Sequence, residues 1–513
     1  MNTTTPTSAW KPIVYEENRV KVLERLKQGE VEYMDLSNWS YQDRFFAFLL
    51  GIRFFELCAA SYPSPRKKEE VPLWFLLCCA VQMRIQTTSV YSKLPGLLKN
   101  GPILSRVQFN VGGMEGGFNR KNRYDRTCPV DFDCVRKFYK DTPRSELRRW
   151  YNRDVVKFFR HNRAFDKHGI FILDQTHVVV PDNENYKDAV RMRVDEFGHR
   201  YDTEGMSEEA KAAIPLHPCY ALSEIVHIGK GDKCFMVAGY QWGPGNMDDV
   251  AQGTALVQEF TEAVGQGVMK LLIVDRGFID GAFIDLVCKQ NKSDILVPLK
   301  KNMDIYTAAL RQTQSADWKG TWAPYRTYVK DGVTYQEEVT IVEDHNGIWD
   351  TCTTKLYVSI MRTKASDRNG FSYWALATSF RPQKSKDAFE TYALRTEIEE
   401  RHKQLKLSWH INEFSSPHES LVEAHVLFTL LTYTLVQLHL VKKHLMDLTT
   451  KTIETLKAEE AIGTNSVIVY HGGYFAVFNL DDYTLIVADL QPQAKARLIA
   501  WIERQKKMFQ PSG

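Results

Sequence analysis

Four residues in segment 392–406 of this 513-residue chain, Tyr392, Arg395, Glu399 and Lys406, have the types and spacing to work together on an anion. At about 100° per helical residue they fall at roughly 0°, −60°, −20° and −40°, so one stripe carries a phenol, a guanidinium, a carboxylate and an ammonium. Leu394, Ile398 and Leu405 cluster near roughly −160°, −120° and −140°, a separate apolar stripe for docking on a core. Of the neighbouring acids, Glu397 and Glu400 point elsewhere, at roughly 140° and 80°, and only Glu399 shares the arc. Such a face suits an anionic, metal-bound polymer. The same spacing also describes a solvated face with weak ion pairs, so the decision rests on other parts of the chain.

Two further acids supply it. In Gly-Ile-Phe-Ile-Leu-Asp174-Gln-Thr-His-Val-Val-Val-Pro181 a lone carboxylate interrupts a β-branched run that reads as a strand. Burying it is costly unless a cation or hydrogen-bond donors compensate; the competing reading is a turn-capping Asp at a strand end. In Lys270-Leu-Leu-Ile-Val-Asp275-Arg-Gly-Phe278 four apolar residues lead straight into an Asp, with a helix expected over 283–289. Ligands of α/β sheets collect beyond the carboxyl ends of strands, which places Asp275 at a site edge, although it could equally cap the next element.

A strand Asp, a strand-end Asp and a helix Glu brought together would repel unless hard divalent cations neutralise them. Two Mg2+ or Mn2+ ions could then activate a water or a 3′-hydroxyl and stabilise the leaving oxygen of a phosphodiester. The chemistry implied is phosphoryl transfer on nucleic acid. With these residues in place, the chain resembles the DDE transposases of bacterial insertion sequences, specifically the cut-and-paste group with the Tyr-(2)-Arg-(3)-Glu-(6)-Lys signature, over roughly residues 166 to 445. The resemblance implies a ribonuclease H-like α/β fold, a two-ion site held by Asp174, Asp275 and Glu399, and DNA contacts from Tyr392, Arg395 and Lys406. It also implies a homodimer working on paired DNA ends, and a 3′-hydroxyl that attacks the opposite strand to form a hairpin.

That family often carries a β-rich insertion between the second Asp and the Glu. Residues 318–360, dense in Trp, Tyr, Thr and Val with turn signals at Asp331-Gly and Asn346-Gly, fit one. The expected divisions are a basic, mostly helical N-terminal region (1–165), a catalytic domain in two parts (166–300 and 371–445) split by a β-rich insertion (301–370), and an α/β tail (446–513). Lys300, after the 294–299 strand, stands where the family tends to contact the DNA backbone, or is an ordinary surface lysine. Trp374 matches the place of a base-stacking aromatic in the family, but its position inside a strand favours the core. His177 reads as a partly buried structural histidine rather than an extra ligand. Residues 219–228 and 234–242 form an expected hairpin, and the polar 182–215 stretch a long loop over the site.

Charge is uneven. Residues 1–160 hold 27 Lys and Arg against 17 Asp and Glu, a balance of +10 where the whole chain carries +3. That field, together with the Arg120–Arg126 run, makes this region the expected reader of transposon ends; a helical scaffold with solvated basic faces is the bland alternative. Helices are expected over 43–61 and 72–86. Hydrophobic content of 44% suits a globular protein. Segment 424–440 is long enough to span a bilayer, but its His, Thr and Gln residues favour a buried core helix. Nine cysteines without a Cys-x-x-Cys pair read as free thiols, and the N-terminus shows no signal peptide, so a cytosolic protein is expected. No phosphate-cradling glycine loop and no Gly-x-Ser-x-Gly elbow is present, which removes support for nucleotide hydrolysis and serine acyl transfer.

In the tail, three short strands are expected at 467–470, 474–478 and 483–487, then an amphipathic helix over 492–509, serving dimerisation or merely capping the fold. The reading is a metal-dependent transposase that cuts double-stranded DNA at its element's ends and joins them to target DNA. Two competitors remain open: a ribonuclease H-like nuclease that only hydrolyses, and a DNA-binding protein that has lost catalysis.

Overall fold

The β-branched run around Asp174 does form a strand, β1 (Ile170–Val179), and it lies inside a ten-stranded mixed sheet. The computed structural model describes residues 15–37, 40–98, 103, 107, 117–119, 128–201, 203, 205–229, 234–343, 349–460 and 466–509. It divides into two units, one of residues 148–407 and one of residues 1–147 with 408–513. The boundary between them falls at 407/408, inside the stretch expected to close the catalytic region.

In the 148–407 unit the strands following β1 are β2 (Val190–Met192), β3 (His217–Ile228), β4 (Phe235–Pro244), β5 (Leu271–Val274) and β6 (Asp294–Pro298). β3 runs antiparallel to β1 with Asp174 opposite Glu224, and β4 is antiparallel to β3, the expected hairpin. Its turn falls partly outside the described residues. Helix α1 (Asp249–Val264), capped by the Asp248 side chain on Ala251 N, carries the chain over to β5, which is parallel to β1; β6 then lies parallel to β5. This order, β4-β3-β1-β5-β6, agrees with the ribonuclease H-like expectation. The 182–215 stretch is less of a loop than expected, since it holds β2 and a short helix, Glu208–Ala213.

Beyond β6 the sheet continues through β7 (Ala323–Lys330), β8 (Val333–Val342), β9 (Tyr357–Ala365) and β10 (Ser372–Thr378). β10 pairs antiparallel with β6 and begins a meander to β9, β8 and β7. Asp331 and Gly332, with φ of 51° and 78°, make the two-residue β7–β8 turn, whose left-handed backbone matches the twist of a hairpin. The Asn346-Gly turn lies outside the described residues.

The segment expected as one helix over 392–406 is broken. Helix Asp387–Tyr392 leads into a 3-10 turn at Ala393–Arg395 and then α2 (Thr396–Leu407). The tighter turn changes the angular count ahead of Glu399. Ile398 and Leu405 are nonetheless buried as the apolar stripe requires.

In the other unit, helix Leu73–Ile85 occupies its expected position, while the stretch expected over 43–61 divides into helices Ser40–Gly51 and Phe54–Ala59 at Arg53, whose φ is 57°. The Arg120–Arg126 run lies outside the described residues. Helix Glu419–Lys442 is long and apolar enough to cross a membrane, yet it is buried along nearly its whole length. Its polar groups are satisfied inside: Thr429, Thr432 and Thr434 donate to carbonyls one turn back, and buried Glu423 accepts from Arg144 at 2.9 Å. The tail corrects one expectation. Strands Ser466–His471 and Tyr474–Asn479 are present, but residues 480–488 form a helix with Asp481 and Asp482 in its first turn, where acids favour the helix dipole. Strands Tyr33–Ser37 and Glu16–Glu17 complete this sheet on its two sides, so the N-terminal segment pairs with the tail.

Candidate functional site

Asp174 stands midway along β1, Asp275 directly follows β5, and Glu399 sits in the first turn of α2. β1 and β5 are neighbours in register, with Leu173 beside Val274, so the two Asp residues that follow them emerge side by side. The three carboxylates line one cavity of about 630 Å³. At its centre is Arg395. Its Nη2 donates to Asp174 Oδ1 at 3.2 Å and to Asp275 Oδ2 at 3.1 Å, and its Nη1 donates to Glu399 Oε1 at 2.8 Å. The three acids expected from the sequence are brought together, and so is the arginine of the helical stripe that carries Glu399.

The electrostatics follow from burial. Asp174 is 6% exposed, and desolvation pushes its carboxyl above the usual range against the opposing pull of Arg395. Burial alone would lower the Arg395 pKa, but the Asp174 and Asp275 carboxylates outweigh it and hold the guanidinium firmly charged. Asp275 also caps the 3-10 turn that follows it, accepting from Arg276 N at 2.6 Å. Its site-edge and capping readings are thus both realised, one by each carboxylate oxygen.

Residues the spacing argument did not find complete the walls. Glu224, opposite Asp174 on β3 and almost fully buried, accepts from His402 Nε2 at 3.0 Å, and His402 lines the cavity one turn beyond Glu399. A lone acid in Ala-Leu-Ser-Glu224-Ile-Val carries the same sequence signal that exposed Asp174. Arg200 reaches over the rim, donating to Gln175 Oε1 at 3.0 Å and approaching Asp249 to 3.9 Å. His177 is a structural histidine, buried, with Nε2 3.0 Å from Gly245 O, as expected.

The remaining stripe residues are placed less simply. The Lys406 ammonium is buried and donates to Thr176 Oγ1 at 2.7 Å and to Phe197 O at 2.6 Å. It ties the 193–200 segment to β1 instead of projecting into solvent, and burial pushes its pKa down to about 8. Tyr392 packs edge-on against Trp374, with ring centroids 5.6 Å apart. Trp374 is 38% exposed, which corrects the core assignment. A strand position does not decide burial where a sheet face is left open, and here the rings of Phe389 and Tyr392 pack on the indole. Lys300 is exposed just past β6 and does not line the cavity.

Against this geometry, residues 166–435 match the family described as the transposase DDE domain. The chain belongs to that family. No curated protein matches it. The match begins just before β1 and ends within helix Glu419–Lys442, so it includes all three cavity acids. Transposases of this family generally use divalent metal ions. The donor set suits one: three carboxylates that offer only oxygen, all turned toward a single positive charge. Among the described residues, no group of three His, Cys, Asp or Glu side chains is placed to hold a metal ion.

Proposed function

We propose that this transposase cuts DNA at its element's ends and joins the freed 3′-hydroxyl to target DNA, by the cut-and-paste route with a hairpin intermediate. The observation that carries the reading is the convergence of Asp174, Asp275 and Glu399 on one cation in one cavity. These three side chains would hold the divalent ions, which when bound activate the attacking oxygen and stabilise the leaving one. The protein's own contribution is positional. The β1–β5 pairing fixes the two Asp residues relative to each other, and α2 sets Glu399 opposite them. Arg395 and Tyr392, beside the acids, suit the DNA strand, with Trp374 behind them as a stacking surface for an unpaired base. The same reading takes a homodimer as the active complex, with each copy supplying one acid site for one DNA end.

The test is cleavage and end binding measured side by side on the transposon-end duplex. Asp174→Asn, Asp275→Asn and Glu399→Gln are each expected to lower cleavage by at least about a thousandfold while end binding changes by less than about threefold. Full cutting by any one of them would reject the assignment. Joining of a pre-cut end to a supercoiled plasmid separates this reading from a nuclease that only hydrolyses, since the latter yields no joined product.

A further inference from the structure

Arg395 occupies the acids themselves, and this has consequences for how metal enters. Resting on the reading that Asp174, Asp275 and Glu399 are the metal ligands, we propose that Arg395 is a placeholder cation. Without DNA it neutralises the three acids, and a divalent ion gains their oxygens only as the guanidinium withdraws.

The argument is one of shared atoms and like charge. Both Asp174 oxygens and Asp275 Oδ2 lie 3.1 to 3.4 Å from Arg395 Nη2, and Glu399 Oε1 lies 2.8 Å from Nη1. A hard cation bonded to those oxygens would stand against the guanidinium beside the buried Asp174, where repulsion is only partly screened. Glu399 is more than half exposed and has Arg395 as its ion-pair partner, so it is free to rotate away with it or be left behind for a metal. Of the other cationic side chains lining the cavity, Lys403 is exposed and two are engaged elsewhere. Lys406 is held by Thr176 and Phe197, and Arg200 by Gln175 and Asp249. Arg395 itself ends a 3-10 turn rather than sitting in mid-helix, and its Nε is buried without a hydrogen-bond partner, so its present position leaves one donor unused.

A phosphate is the alternative partner that would satisfy it, since a guanidinium binds phosphate oxygens in pairs. A DNA strand entering the cavity mouth would then draw Arg395 off the acids and raise their affinity for metal; by linkage, metal would raise the affinity for DNA by the same factor. The acid site is thereby kept short of metal until a DNA strand is present.

The experiment is titration of the full-length protein with Mn2+, reading free ion by electron paramagnetic resonance. A variant carrying both Asp174→Asn and Glu399→Gln gives the background from other sites. Without DNA, Arg395→Gln is expected to bind Mn2+ at least about tenfold tighter than the unaltered protein, and Arg395→Lys to stay close to it, because a cation is retained. Adding a short duplex oligonucleotide should tighten Mn2+ binding to the unaltered protein and leave Arg395→Gln nearly unchanged. Equal or weaker binding by a folded Arg395→Gln, its melting temperature intact, overturns the proposal. Should that variant fail to fold, an unaltered protein whose Mn2+ affinity ignores the duplex overturns it. Mn2+ binding no greater than background in every form, with and without duplex, overturns the acid-site reading underneath, which separates the two failures.

Discussion

At the scale of single residues, the site is a problem in buried charge. Asp174 was legible because a carboxylate inside an apolar run needs a compensating partner, and Asp275 because it stands where a strand ends and ligands collect. The fate of Lys406 was not legible. Helical spacing puts it on the stripe, but the 193–200 segment that captures its ammonium is distant in sequence and has no periodic signal. His177 gives a residue-scale prediction. Burial, reinforced by Arg200, pushes its pKa down to about 4. An unfolded chain takes up this proton near the ordinary value of about 6.5, so between those values the unfolded state binds more protons than the folded one. Stability is therefore complete above the ordinary value and lost as pH falls toward the folded one. Denaturant unfolding followed from pH 7 downward should show this loss, up to about 3 kcal/mol, largely absent in His177→Gln.

At the scale of elements, strands were read well and helix starts less well. β1, β3, β4, β5 and β6 follow from β-branched runs and turn signals, and the Asp331-Gly332 turn from its dipeptide. The 3-10 turn ahead of α2 left no such mark, and neither did the helix at 480–488, whose Tyr-Thr-Leu-Ile-Val composition favours a strand until tertiary packing decides. The segment covering the cavity depends on Gly198, which has a φ of 82° and an α-carbon so close to β1 that an added Cβ would stand 2.1 Å from His177 O. Gly198→Ala must strain the backbone and push this segment outward. The expected loss is about 1–3 kcal/mol, read by denaturant unfolding, with faster proteolysis between residues 193 and 201 than in the parent protein.

At the scale of the whole molecule, the division of the chain was only partly legible, because sequence order hides which distant segments share a core. The N-terminal strand Tyr33–Ser37 and the tail strand Ser466–His471 pair directly, and Val22 and Leu26 share one apolar cluster with Val469, Phe478 and Leu498. Residues more than 400 positions apart thus share one sheet and one apolar cluster. Deleting residues 466–513 should unpair the N-terminal strand and open that cluster. The expected result is faster amide exchange across residues 19–37 together with a lower melting temperature. Unchanged exchange there would mean that the N-terminal segment folds by itself.

The central claim, that Asp174, Asp275 and Glu399 form one metal-dependent cleavage site, meets its most direct test in anomalous diffraction from crystals grown with Mn2+ and a transposon-end duplex. The account predicts manganese peaks among these three carboxylates, at about 2.1–2.3 Å from their oxygens, with Arg395 turned toward a DNA phosphate. Manganese bound elsewhere, with the acids still gathered on Arg395 beside the DNA, would contradict it.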